Sequence, residues 1–299
     1  VKALRFIVPY FGKWPPWFPA FVLTAAHNST VEWILFTDCQ APKSVPPNMR
    51  FVQMPLPQLN QLASSKLGLK INKGPYSQCD MRPAFGVIFD EYLKDAEFWG
   101  HCDLDVIWGD LRTYLSPNIL NNYQIITNNL RQMAGHLGLY RNCPEVNNFF
   151  RQAPDHKEIL EDPQFHYFDE DGISNCLKEN NVQGIYWDRN DKVHDRELKY
   201  LPTGWYWKRG RIFDRLGRQY GSMHFMLWKK HMKHIDFDFG DRPEFFRITR
   251  AGLWSKPMPM YHRFLEAVPI THRFARFRKR IKTRGGIKVK WRRFRSEVV

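Results

Sequence analysis

The chain is poor in several features that would assign it quickly. Its 299 residues contain five cysteines (Cys39, Cys79, Cys102, Cys143 and Cys176), an odd number, widely spread and without a Cys-x-x-Cys pair. That pattern argues against a disulfide framework and against a zinc site, and it favours a reducing compartment. No stretch approaches the ~20 apolar residues of a membrane span. The first apolar run, Leu4 to Val8, lacks the basic region and cleavage site of a signal peptide. There are no repeats or low-complexity tracts, and no linker that divides the body. The default expectation from these absences is a cytosolic globular protein.

What is present fits that class. Hydrophobic residues make up 43% and charged residues 25%, and the length suits one large α/β domain or two smaller ones. Aromatic content is high at 15%, enough to build large buried surfaces and to line sites for flat ligands. The net charge of +15 is uneven: Thr271 to Val299 holds twelve Lys or Arg against Glu297 alone, leaving +4 for the rest. Such a tail suits an acidic surface, whether phospholipid, nucleic acid or protein. Within it Phe274, Phe277 and Ile281 recur at helical spacing among bases, and beyond Gly285-Gly286 the pattern resumes with Ile287, Val289, Trp291 and Phe294. That is the form of a basic amphipathic, membrane-surface helix; a solvated basic extension is the plainer alternative.

Along the body, Leu4–Val8 reads as a buried strand ending in the loop Pro9-Tyr10-Phe11-Gly12. A helix over 20–27 follows prolines 15, 16 and 19, then strands over 31–36 and 50–54. This strand–helix–strand order predicts a parallel α/β sheet. Helices are expected over 58–69 and over 80–94, the latter with Asp80 as N-cap. A strand over 97–102 leads into Asp103-Leu104-Asp105, with further strands over 123–127 and 136–140 and helices near 145–152 and 172–179. From Gly184 to Lys230 the pieces are short and aromatic, with a hairpin turn at Lys208-Arg209-Gly210. Residues 231–270 resist assignment.

The chemistry centres on Gly100-His101-Cys102-Asp103-Leu104-Asp105. Two carboxylates one residue apart at the end of a buried strand can both approach one hard divalent cation, leaving positions open for phosphate oxygens. An isolated Asp-x-Asp also reads as a solvated turn. Here apolar residues lie on both sides, and burying two carboxylates without a cation is costly.

Taken in order, Pro9-Tyr10-Phe11-Gly12, Phe36-Thr37-Asp38, Lys66-Leu67-Gly68, Cys79 to Ala84, Phe98 to Asp105 and Gly135 to Arg141 resemble GT-A glycosyltransferases. The resemblance spans most of residues 4–230 and is closer to bacterial capsule and lipopolysaccharide glycosyltransferase-like proteins, including galactosyl- and galactofuranosyltransferases. It implies an α/β fold with a GT-A-like, Rossmann-type mixed sheet flanked by helices, to which the basic C-terminal helical tail is added. It also implies a metal-dependent transfer of a hexosyl group from a UDP-sugar to a lipid-linked glycan, with Mn²⁺ or Mg²⁺ as cofactor. By that resemblance Pro9, Tyr10, Phe11 and Asp38 hold the nucleotide, Lys66, Asp80 and Arg82 face the diphosphate or donor sugar, and Asp103 and Asp105 hold the metal.

Met223-His224-Phe225 with Lys229 resembles the late His motif of glycogenin-type enzymes, without the usual intervening Gly. It makes His224 a third metal ligand and Lys229 a diphosphate contact. His136 is a candidate sugar contact or a packing residue. An inverting enzyme needs a carboxylate to accept the acceptor's proton; Glu170, Asp171 and Asp169 are the candidates, although acids there also suit a helix N-terminus. Stereochemistry stays open.

The expected organisation is a core over 1–230, an extension over 231–270 and a membrane-associating tail over 271–299 on the inner face of the cytoplasmic membrane. No nucleic acid is expected as partner. Two other readings remain: a nucleic-acid-binding protein, suggested by the pI near 9.6, and a non-catalytic membrane scaffold of GT-A shape.

Overall fold

The computed structural model describes residues 3–129, 132–180, 182–187, 192–194 and 204–262; the expected basic tail lies outside them. Strand β1 (Leu4–Tyr10), helix α1 (Phe18–Ala26), β2 (Val31–Thr37) and β3 (Met49–Gln53) follow one another as the apolar runs predict. β1 and β2 are covered on both faces, so they read as largely apolar runs instead of alternating. Pro19 sits in the first turn of α1, where its missing N–H leaves nothing unpaired. Helix α2 (Leu56–Leu67) stops at Gly68, which takes the left-handed conformation (φ 70°) of a C-terminal cap.

Strands β4 (Phe98–Cys102), β5 (Val106–Trp108), β6 (Ile125–Thr127), β7 (Leu137–Arg141) and β8 (Ile185–Trp187) come next. The main sheet has the order β3-β2-β1-β4-β7-β6-β8. Its first four strands are parallel, as the strand–helix–strand order predicts, and β7 runs antiparallel between β4 and β6, which makes the mixed sheet that the resemblance implies. Two glycines let β7 lie close: a Cβ on Gly100 would come 2.6 Å from the Gly138 carbonyl, and one on Gly138 would come 2.5 Å from His101.

The helix expected over 80–94 is broken. Ser77–Ala84 is 3₁₀, followed by short helices at Phe85–Ile88 and Asp90–Leu93. Pro83 accounts for the break: it removes a donor and biases Arg82 away from α geometry. Asp80 therefore lies inside the 3₁₀ segment and is not the N-cap of a helix that begins there. The helix near 145–152 also splits, into Pro144–Asn147 and a 3₁₀ turn at Phe149–Gln152, whereas Ile173–Glu179 forms as expected.

One face of the sheet packs on α2 and the segments 77–93 and 144–179 through Phe85, Phe89, Trp99 and Phe168. The other packs on α1 through Phe6, Phe21, Trp33 and Trp108. The remaining strands are β9 (Lys192–His194), β10 (Trp205–Lys208), β11 (Arg211–Phe213), β12 (Gln219–Tyr220), β13 (Ser222–His224), β14 (His234–Ile235), β15 (Phe245–Ile248) and β16 (Gly252–Trp254). The expected β10–β11 hairpin turns at Arg209 and Gly210, both at positive φ (47° and 81°), as a two-residue turn between twisted strands requires. Residues 234–254, which carry no clear pattern, supply β14–β16, and β15 pairs with β10 in a second sheet of order β12-β11-β10-β15-β16-β14. That sheet closes a third core with α1. A small sheet, β5-β13-β9, joins the two regions. Among the described residues no helix is long and apolar enough to cross a membrane.

Candidate functional site

Asp103 and Asp105 form the turn from β4 into β5. The pairing of β13 with β5 sets Ser222 opposite Trp108 and His224 opposite Val106, so His224 arrives next to Asp105, whose carbonyl accepts from Phe225 N–H at 3.0 Å. One ligand atom each from Asp103, Asp105 and His224 lie within 4.8 Å of one another. His224 Nε2 is 3.4 Å from Asp105 Oδ1 and 3.9 Å from Asp103 Oδ2. The His136 ring stacks on His224 with centroids 4.1 Å apart. Lys229 Nζ lies 3.1 Å from Asp105 Oδ2.

Burial pushes the Asp105 carboxyl up, but His224 and Lys229 outweigh it and hold the group well below the usual carboxylate range. Asp105 is buried while Asp103 is 32% exposed. Two charged carboxylates and an imidazole, open on one side, match a hard or borderline divalent cation such as Mn²⁺ or Mg²⁺.

Arg82 ties this cluster to the acidic triplet. Its guanidinium is buried, donating to the Gly135 carbonyl at 2.6 Å, Asp169 Oδ2 at 2.9 Å and Asp103 Oδ1 at 2.5 Å. Asp169 is also buried, and its pKa rises to about 7 despite that ion pair. Burial is the main cause; Arg82 opposes it, and the nearby charges of Glu170 and Asp103 add to it. The upward direction holds because one guanidinium serves both Asp103 and Asp169. Glu170 accepts from Gly135 N–H at 3.2 Å, and burial pushes its carboxyl up. Glycine at 135 leaves room for the two acids: a Cβ there would stand 2.7 Å from Glu170 Oε1 and 3.2 Å from Asp169 Oδ2, so the Glu170 carboxylate would have to shift. Asp171 is exposed; of the triplet, Asp169 and Glu170 contact the Arg82–Gly135 group.

Asp38, directly after β2, accepts from Gly12 N–H through Oδ1 at 2.8 Å and so fixes the Pro9–Gly12 loop at the end of β1. Tyr10 stacks on Trp14 at 5.4 Å. Burial raises its phenol pKa; after it, Cys39 and Asp105 also push the group up and Lys229 pulls it down, placing Tyr10 beside the metal-type cluster. Pro9 is buried, and Phe11 packs into the core.

Two expected donor contacts are placed elsewhere. Lys66 pairs with Asp90 at 2.6 Å, close in sequence to Tyr92, whose carbonyl meets Arg5 near the start of β1, away from the strand ends that carry the cluster. Asp80 is fully buried and faces inward. Its carboxylate accepts from Lys73 Nζ at 3.0 Å, from Phe168 N–H at 2.9 Å and from His166 N–H at 3.0 Å. It thereby holds the segment that presents Asp169 and Glu170.

Three residues at the site escape sequence reasoning. Lys73 is a fully buried lysine with no local pattern to mark it. His101 is buried against the Gly135 carbonyl at 3.1 Å. Gln78 reaches the Pro9 carbonyl at 3.5 Å and leaves its own buried Oε1 without a partner. Only the position of His101, two residues before Asp103, offered a cue.

Fold and site together define a mixed α/β protein with a divalent-cation type of carboxylate cluster at the carboxyl edge of its sheet. The chain belongs to a family of unknown function, DUF6625, whose model matches residues 6–236. No curated protein matches it. Similar solved structures include the galactosyltransferase LgtC in complex with donor and acceptor sugar analogs, at 13% identity and a TM-score of 0.41, covering 75% of this chain and 86% of that one. Mouse xyloside xylosyltransferase 1, apo form, gives 9% identity and a TM-score of 0.43 over 75% of this chain and 97% of that one. The glycosyltransferase GlyE of Streptococcus pneumoniae TIGR4 gives 10% and 0.34 over 62% and 44%. At these scores the likeness is loose.

Proposed function

We propose that the chain is a metal-dependent GT-A glycosyltransferase that moves a hexosyl group, galactose or galactofuranose, from a UDP-sugar to a lipid-linked bacterial surface glycan. The observation that carries this reading is the convergence of Asp103, Asp105 and His224 with the cations of Lys229 and Arg82. Asp103, Asp105 and His224 would hold the divalent ion, which when bound neutralises charge on the diphosphate leaving group. Lys229 and Arg82 flank the same space, the arginine with the planar fork suited to phosphate. The Tyr10 loop, braced by Asp38, takes the nucleoside, and His136, stacked on His224, would meet a sugar hydroxyl. In an inverting course Glu170 accepts the proton of the acceptor hydroxyl, while Asp169 keeps Arg82 in place. The basic segment 271–299 associates with anionic lipid at the cytoplasmic face, where lipid-linked acceptors lie.

The test of donor use is UDP release from UDP-galactose, UDP-galactofuranose and UDP-glucose with Mn²⁺. Turnover by the wild type and none by Asp103→Ala/Asp105→Ala is the expected result; equal rates for both proteins would sink the proposal. Co-sedimentation with phosphatidylglycerol vesicles tests the tail, and equal sedimentation of the full chain and one lacking 271–299 would remove that part.

A further inference from the structure

Beside the carboxylates stands an aromatic group with no role in the reading so far. Tyr76 immediately precedes the 3₁₀ segment that carries Arg82, and Tyr167 lies two residues before Asp169. Phe165 joins them: its ring centroid is 4.8 Å from Tyr76 at 70°, and 4.4 Å from Tyr167 at 52°. Tyr76 is 68% exposed, and Phe165 and Tyr167 are half-buried.

The backbone of this group is unusual. Tyr167 takes a left-handed conformation, φ 58° and ψ 33°, a region that disfavours bulky side chains and that glycine enters freely. Its carbonyl accepts from the N–H groups of Glu170, Asp171 and Gly172 at 3.2, 2.9 and 3.2 Å, which ties ring position to carboxylate position. On either side of it, His166 and Phe168 donate their N–H groups to Asp80. The turn would form more easily with glycine at 167, so the strain is retained together with a ring that reaches Phe165. The clasp on both neighbours holds that ring in advance of any ligand.

We infer that Tyr76, Phe165 and Tyr167 form the stacking platform for a sugar ring of the acceptor, set beside Glu170. The inference rests on the transferase reading and deepens it. Sugar rings present C–H faces to aromatic rings and hydroxyls to the surrounding carboxylates, and this site offers both. A nucleobase is the weaker occupant, because Tyr10, stacked on Trp14, already stands on the Lys229 and Asp105 side, whereas Tyr76 and Tyr167 sit on the segments that carry Arg82 and the pair Asp169 and Glu170.

The experiment is saturation-transfer NMR of methyl β-galactopyranoside, methyl β-glucopyranoside and lactose on the full chain with Mn²⁺ and UDP, with UDP affinity measured in parallel. The expected result is saturation of ring C–H signals of at least one sugar on the wild type, kept by Tyr76→Phe. It falls at least fivefold in Tyr76→Ala and Phe165→Ala, with UDP affinity within twofold. Unchanged sugar signals in both alanine variants overturn the platform, as does a wild type that binds UDP and none of the sugars. A tenfold loss of UDP affinity in Tyr76→Ala would reassign the rings to the donor. A folded wild type that binds no UDP overturns the transferase reading itself, and the platform with it.

Discussion

Two lysine–aspartate pairs in this protein have nearly the same separation and opposite surroundings. Lys73 and Asp80 meet at 3.0 Å with both side chains at 0% exposure. Every group there is matched: the ammonium also donates to the Ile159 and Gln164 carbonyls, and the carboxylate takes two backbone N–H groups. Lys229 and Asp105 meet at 3.1 Å, but the lysine is 39% exposed and the carboxylate shares its space with Asp103 and His224. A buried charge whose hydrogen bonds are all met holds a fold together; one left open towards a second carboxylate is arranged for something that is added.

That contrast sets the order of expected effects. Lys73→Met leaves a carboxylate buried without its counter-charge and should cost about 3–5 kcal/mol of stability in denaturant unfolding. Lys229→Met also takes a counter-charge from a buried carboxylate, but His224 stays beside Asp105 and the lysine is partly solvated, so its stability cost should be smaller, about 1–3 kcal/mol, while Mn²⁺-dependent UDP affinity drops at least tenfold. Equal stability costs for the two would break the comparison.

Gly135→Ala comes next. Its Cβ must displace the Glu170 carboxylate and crowd Asp169, so a loss of about 1 kcal/mol is expected, together with weaker transfer. A variant as stable and active as the wild type would show that the two acids do not depend on this approach.

A smaller, pH-bound effect belongs to Asp169. Its folded pKa, about 7, is raised above the ordinary carboxylate value, so its contribution is present at low pH and is lost as pH rises from about 4 to about 7. The slope is at most ~1.4 kcal/mol per pH unit. Asp169→Asn should flatten the stability profile in that window, read by thermal unfolding at several pH values; an unchanged slope would mean that the carboxylate is ionised in the folded protein. The smallest effect is Lys66→Ala, which removes a surface pair with Asp90. It should change stability by less than ~0.5 kcal/mol and UDP affinity not at all.

Several of these features were legible in the chain, for identifiable reasons. β1, β2 and β4 are covered on both faces and read as largely apolar runs, broken by Arg5, Glu32 and His101, so the end of β4, and with it Asp103 and Asp105, could be placed. The hairpin at Arg209-Gly210 announced itself through turn chemistry. Pro83 was visible too, and the break it makes in the 80–94 helix was within reach of the sequence. The antiparallel insertion of β7 was not, because strand direction depends on partners and leaves no local pattern. The Asp80 clasp joins residues 73, 80, 159, 164, 166 and 168, a convergence that only the folded chain assembles. Lys66 and Lys73 illustrate the gap: the half-buried surface lysine looked like the ligand contact, and the structurally decisive one had no sequence mark.

The most direct test is calorimetric titration of UDP into the wild type with and without Mn²⁺, repeated on Asp103→Ala/Asp105→Ala. The account predicts binding that needs the metal and disappears in the double variant. Binding of equal strength with and without Mn²⁺, or retained by the double variant, would contradict the assignment of Asp103, Asp105 and His224 as a metal-dependent nucleotide site.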